Sequence, residues 1–83
     1  MSLKELEKWR RKIDELDRQL LKVLNERASV VRKIAEIKGR TGAPGFDPSR
    51  EKMVVEKLKK LNEGPLEARE IELVMETIFR IYR

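Results

Sequence analysis

The sequence of 83 residues contains no cysteine and no histidine, and only four of its residues are aromatic. Without cysteine it can form neither a disulfide framework nor a thiolate metal site. Without histidine it lacks the most common general base and metal ligand. The three serines have no histidine to activate them as nucleophiles. If the protein is an enzyme, it therefore works without the usual nucleophilic and acid–base machinery.

Long apolar runs are also absent, and the charge balance is basic. No stretch is apolar enough to span a membrane and no signal peptide is visible, so the sequence predicts a cytoplasmic protein with no membrane partner. Charged residues make up 42% of the chain and the net charge is +5. This balance indicates either an anionic partner or simply solvated helix faces.

The apolar residues recur at every third or fourth position, which is typical of helices, and no stretch alternates with period two. Gly39 and Gly42 indicate the end of a first helix, and Asp47 followed by Pro48 indicates the start of a second. The sequence thus predicts an all-α fold of three helices in a single domain over residues 1–83. The predicted helices cover about residues 3–38, 48–61 and 67–83.

The first helix carries two adjacent apolar seams, so neighbours are expected on more than one side. One seam is Leu6, Trp9, Ile13, Leu16, Leu20, Val23, Arg27, Val30, Ile34 and Ile37. The other is Asp17, Leu21, Leu24, Ala28, Val31, Ala35 and Lys38. A helix of about 36 residues spans roughly 54 Å, whereas a compact domain of this size is about 30 Å across. We therefore expect an obligate homodimer built on antiparallel pairing of the first helix. A parallel coiled coil is the rival arrangement. It is disfavoured because it would place Arg27 opposite its own copy, which brings like charges together.

Cations occupy positions where a simple coiled coil would carry leucine. Arg27 interrupts the first seam and needs an anionic partner, either a protein carboxylate or a bound ligand. Lys38 lies on nearly the same helix face, about 16 Å further along the axis. In an antiparallel dimer, Arg10 of the partner subunit would lie between these two levels. Arg50 and Glu51 follow the next loop and could close the same pocket, which would suit a small dianion.

Each of these residues also has a structural interpretation. Arg27 could form an ion pair within the protein, and Lys38, Arg50 and Arg10 could be ordinary surface charges. Glu51 could simply favour the positive end of the second helix dipole.

Taken together, the segments that carry these residues resemble the AroQ (all-helical) class of chorismate mutases, and the resemblance covers nearly the whole chain. The segments are Arg10-Arg11-Lys12-Ile13-Asp14-x-x-Asp17, Leu20-Leu21-x-x-Leu24-Asn25-Glu26-Arg27, Ile34-Ala35-x-Ile37-Lys38, Asp47-Pro48-x-Arg50-Glu51 and Leu61-Asn62-x-Gly64-Pro65-Leu66. The resemblance implies an intertwined three-helix homodimer. It also implies an isomerase of aromatic amino acid biosynthesis (the shikimate pathway) that converts chorismate to prephenate by an intramolecular Claisen-type rearrangement. Such a reaction needs no nucleophile, general base, metal or cofactor.

The resemblance also implies a role for each candidate site residue. Arg27 and Arg10 of the partner subunit would bind the two substrate carboxylates. Lys38 would donate to the ether oxygen, which gains negative charge as its bond to carbon breaks. Glu51 would accept a hydrogen bond from the substrate hydroxyl. The residues that shape this end of the pocket would be Asp47 and Arg50.

The C-terminal end departs from the family pattern at Tyr82, a candidate substrate-binding residue. Family members usually carry a small residue there, and a Gln or Glu one turn further on, beyond Arg83. This departure supports an alternative function: a catalytically weak or inactive helical dimer acting as a regulatory or assembly module. In either case a fused or associated aromatic-pathway enzyme is a predicted partner. A basic nucleic-acid binder is disfavoured, because cations and acids are interleaved on all faces and no recognition motif is present.

Overall fold

The computed structural model describes residues 2–82 of the chain. Over this range the protein consists of three α-helices and no strand, which confirms the predicted all-α fold. The helices are α1 (Leu3–Thr41), α2 (Pro48–Leu61) and α3 (Ala68–Ile81). None of them is both long and apolar enough to cross a membrane. The end of the third helix is predicted at residue 83, which lies outside the described residues.

Contacts within the chain divide it into two units, with the boundary between Lys33 and Ile34. The first unit is formed by most of α1. The second contains the last turns of α1 together with α2 and α3. The prediction of one domain over residues 1–83 stays a prediction.

Helix α1 begins at a local cap and extends further than its sequence signals predict. The Ser2 hydroxyl accepts a hydrogen bond from the Glu5 backbone N–H at 3.2 Å. The helix then continues through Gly39 to Thr41, because one glycine inside a helix costs only about 1 kcal/mol. It ends at Gly42, whose φ of 75° suits glycine. The N–H of Gly42 donates to the Lys38 carbonyl at 2.9 Å.

Helices α2 and α3 each begin with a carboxylate that accepts a backbone N–H, and the one at α2 is predicted from the sequence. The Asp47 carboxylate accepts the Arg50 N–H at 3.0 Å and Pro48 occupies the first turn. At the start of α3, the Glu70 carboxylate accepts the N–H of Glu67 at 2.9 Å. These caps satisfy N–H groups that have no partner within the helix.

The turn between α2 and α3 is held by one amide side chain. Asn62 donates to the Leu66 carbonyl at 2.6 Å and accepts the Gly64 N–H at 3.0 Å. Gly64 has a φ of 83°, which an L side chain would strain. The Asn-x-Gly-Pro sequence therefore closes the turn that lets α3 fold back against α2.

Helices α2 and α3 pack together around a small apolar core. Ile71 and Phe79 are 8% and 6% exposed and are the two buried hydrophobic residues within residues 2–82. Lys59 of α2 pairs with Glu72 of α3 and, at 3.2 Å, with Glu56 of its own helix. The hydrogen bond that Lys59 donates to Glu72, followed by the one it donates to Glu56, raises the pKa of Lys59 above its usual value.

The seams of α1 remain exposed in the single chain. No residue of α1 is buried. On the first seam, Leu16, Leu20 and Val23 are 44%, 56% and 58% exposed. A continuous stripe of exposed aliphatic side chains is unusual for a monomer and indicates an interaction surface.

Candidate active site

The two arginines predicted to bind carboxylates both lie in the first unit. Arg27 is half-buried and Arg10 is exposed. Arg10 donates to the Glu7 carboxylate at 3.2 Å, an exposed pair one turn away that contributes little to stability. Along α1 the two arginines are about 25 Å apart, since a helix rises 1.5 Å per residue. The two arginines of one chain therefore cannot both bind the same small anion.

Lys38 lies in the second unit, in the last turn of α1, and is half-buried. Its Nζ donates a hydrogen bond to the backbone carbonyl of Gly45 at 3.3 Å. Because an ammonium has three N–H donors, two remain for other acceptors. The structure thus holds this cation against the loop that follows α1.

Asp47, Arg50 and Glu51 surround the start of α2, also in the second unit. Asp47 is exposed and caps the helix through the Arg50 N–H. This bond fixes the first turn, in which Glu51 is half-buried and Arg50 exposed. Asp47 therefore has a structural role here whether or not it also touches a ligand.

Tyr82 is the last described residue and is half-buried. Its backbone N–H donates to the Ile78 carbonyl at 3.0 Å, which completes the final turn of α3. The structure thus places Tyr82 at the C-cap of α3, and its predicted role in substrate binding stays a prediction.

In the second unit, four candidate residues lie on either side of the loop between α1 and α2. Lys38 precedes the loop of residues 42–46, and Asp47 follows it directly. Within residues 2–82, no three or more acidic side chains are grouped so that they could hold a metal ion. A cation, Lys38 in the last turn of α1, and a carboxylate, Glu51 in the first turn of α2, thus lie on either side of one short loop.

One group in this arrangement is absent from the sequence-based prediction, the Gly45 carbonyl that accepts from Lys38. Side-chain patterns do not reveal a backbone acceptor. The signal that was available is the glycine- and proline-rich loop directly after the candidate lysine, because such a loop can turn back on the helix it leaves.

The family profile of chorismate mutase type II matches residues 9–83 of this chain. The chain belongs to this family. The match confirms the resemblance to the all-helical class found from the sequence segments. It covers every candidate site residue, from Arg10 to Tyr82.

Individual chorismate mutases show the same similarity. The chain is 42% identical over 59 residues to a chorismate mutase from Methanocaldococcus jannaschii, an alignment that covers 71% of this chain and 60% of that protein. It is 40% identical over 60 residues to a bifunctional chorismate mutase/prephenate dehydratase from Aquifex aeolicus, covering 72% of this chain and 17% of that protein. The matched region thus spans less than two thirds of these relatives.

The fold agrees with a solved member of the family. The structure of chorismate mutase (form I) from Thermus thermophilus aligns with a TM-score of 0.91 and 28% sequence identity. The alignment covers 93% of this chain and 96% of that one. The three-helix architecture is therefore that of a chorismate mutase.

Proposed function

We propose that this chain is a chorismate mutase, an isomerase that converts chorismate to prephenate. Family membership supports this, and the observation that carries it is that Lys38 lies in the last turn of α1 and Glu51 in the first turn of α2, on either side of one short loop. A cation for a developing oxyanion and an acceptor for a hydroxyl are the two groups that this substrate requires at that end.

The chemistry of the reaction suits a chain without histidine or cysteine. In the Claisen-type rearrangement, the ether carbon–oxygen bond breaks as a carbon–carbon bond forms within the same molecule, and no proton passes to the protein. The enzyme needs only to hold the compact reactive conformer and to stabilise the negative charge that grows on the ether oxygen. Neither task requires a nucleophile or a general base.

Each side chain then has a defined task. Arg27 and Arg10 of the partner subunit bind the two carboxylates, Lys38 donates to the ether oxygen, and Glu51 accepts from the hydroxyl. Asp47 keeps the first turn of α2 in place. Asp47, Arg50 and Tyr82 are the remaining candidates for contact with the substrate.

The active protein is proposed to be a homodimer formed through α1. The exposed seam residues of α1 support this, because a second copy of the helix would cover their aliphatic side chains. The separation of about 25 Å between Arg10 and Arg27 along one helix also supports it. In an antiparallel pair, Arg10 of the partner subunit reaches the level that Arg10 of the same chain cannot.

The relatives suggest where the product goes. Several are bifunctional chorismate mutase/prephenate dehydratases. We therefore propose that the prephenate formed here is consumed by a dehydratase, either joined to this domain or associated with it.

The direct test is to add chorismate to the purified protein and to follow its loss by absorbance. Arg27→Ala is expected to lower kcat/KM by about 10- to 100-fold, since hydrogen bonds to charged groups contribute about 1.5–3 kcal/mol. The matched control is Arg18→Ala, which removes an exposed arginine of α1 outside both seams and should retain the wild-type rate.

Two results would contradict the proposal. A folded, dimeric wild-type protein that leaves chorismate unchanged would favour the regulatory or assembly role instead. An Arg27→Ala variant that turns over at the wild-type rate would remove Arg27 from the site.

A further inference from the structure

The loop of residues 42–46 contacts Lys38 through two backbone groups. The Gly42 N–H donates to the Lys38 carbonyl at 2.9 Å, and the Lys38 Nζ donates to the Gly45 carbonyl at 3.3 Å. The first bond closes the end of α1. The second has no role in closing the helix, because it involves the tip of the side chain.

We propose that Gly45 is a positioning residue for Lys38, acting through its backbone carbonyl; this rests on the proposed function. A lysine side chain has a flexible four-carbon stem and no fixed direction of its own. When one N–H is held by a carbonyl, the ammonium is confined before the substrate arrives, and its other two donors are left for the ether oxygen. Catalysis gains because the donor needs no reordering in the transition state.

The loop holds this carbonyl in place because both of its ends are fixed. At one end, Gly42 adopts a φ of 75°. At the other end, the Asp47 carboxylate accepts the Arg50 N–H at 3.0 Å. Glu51 lies in the turn fixed by this cap.

The first test weakens the acceptor without changing any side chain. Chemical synthesis can replace the amide between Gly45 and Phe46 by an ester, which makes the Gly45 carbonyl a poorer acceptor and also removes the Phe46 N–H. We expect kcat to fall about three- to tenfold with KM nearly unchanged, because the ether oxygen gains its charge only in the transition state. The matched control places the ester between Pro44 and Gly45, which weakens the Pro44 carbonyl instead and should leave kcat near the wild-type value.

A double-mutant cycle separates positioning of Lys38 from a general effect on the loop. In a Lys38→Met background the Gly45–Phe46 ester should cause no further loss of the remaining rate, because the group that it positions is gone. An equal loss in both backgrounds would overturn the proposal and leave Gly45 a merely structural role. An unchanged kcat in the wild-type background would overturn it as well.

A second pair of variants moves the loop through its backbone. An L-alanine at position 42 would be strained at a positive φ, although no atom lies within 4 Å of its methyl group. D-alanine favours this backbone region. Gly42→Ala is expected to lower kcat about fivefold, and the D-alanine variant to retain it. Gly39→Ala also adds a methyl group in open space, but in helical backbone, and should be neutral. Equal rates in the two position-42 variants would contradict the coupling between loop and lysine.

A readout that does not depend on turnover separates this proposal from the proposed function. NMR relaxation of the Lys38 side-chain methylenes should show restricted motion in the wild type and greater motion in the Gly45–Phe46 ester. If chorismate is not converted but this difference is present, the mutase function fails and the positioning stands. If chorismate is converted and Lys38 moves equally in both proteins, the positioning by Gly45 is wrong.

Discussion

If each site is shared between two subunits, two damaged variants should rescue each other. Arg10 and Arg27 lie about 25 Å apart on α1, so under the proposed function a complete site would take Arg27 from one chain and Arg10 from the partner subunit. In a heterodimer of Arg10→Ala with Arg27→Ala, one site lacks both arginines and the other has both. Neither homodimer contains a complete site.

The size of the rescue follows from the two-fold symmetry. Each variant alone should lose about 10- to 100-fold in kcat/KM with its charge-assisted hydrogen bonds. Random pairing of equal amounts makes about half of the dimers heterodimers, and each has one intact site of two, so about a quarter of wild-type activity should return. This lies clearly above the activity of either variant alone.

The assay is to unfold the two variants together, refold them, and follow the loss of chorismate, with each variant refolded alone as a control. A second mixture combines the wild type with the Arg10→Ala/Arg27→Ala double variant and gives the complementary measurement. With shared sites this mixture also retains about a quarter of the activity, because its heterodimers have no intact site. If both arginines acted within one chain, the first mixture would show no rescue and the second would retain about half. That pair of results would refute the shared site.

Three further predictions concern the second unit. Phe79→Ala should lower the free energy of unfolding by about 3–5 kcal/mol, because Phe79 is only 6% exposed. Leu61→Ala should cost far less, because Leu61 is 66% exposed. Urea unfolding measures both. The hydrogen bond to Glu72 raises the pKa of Lys59. Its ion pairs therefore stabilise the fold below the unfolded pKa of about 10.4, and this stabilisation is lost as pH rises through the higher folded pKa. The melting temperature of the wild type should fall more steeply above about pH 10.5 than that of Lys59→Met. Asp47→Asn should keep the helix cap whereas Asp47→Ala loses about 1 kcal/mol, so a loss of turnover in both would show that the charge is needed by the substrate.

The sequence predicts those parts of the fold that local chemistry decides. It predicts the start of α2 at Pro48 because Asp47 supplies a cap and proline fits the first turn. The predicted end of α1 is three residues early, at Lys38 instead of Thr41, because Gly39 resembles a stop signal. One glycine inside a long helix costs too little to end it, and the left-handed backbone at Gly42 does so instead.

Side-chain periodicity is less successful at saying which residues become buried. It places Leu20 and Val23 on a seam that neighbours should cover, yet within one chain they are 56% and 58% exposed. A repeat of three or four residues identifies a helix face but does not say what packs against it. The Gly45 carbonyl escapes prediction for a related reason, since any residue can supply a backbone acceptor.

The arrangement of cations matches the demands of the proposed reaction. The two carboxylates of chorismate carry the same charge throughout, so cations that bind them act nearly equally in the ground state and in the transition state. The ether oxygen gains charge only in the transition state, and a donor to it contributes most when it is held in place beforehand. The structure holds Lys38 with a backbone carbonyl, whereas Arg10 is exposed and paired with Glu7 of its own helix. In the proposed reaction, pre-ordering is thus found at the cation that would meet the developing charge. Arg10 would exchange a weak surface pair for a substrate carboxylate in the proposed dimer.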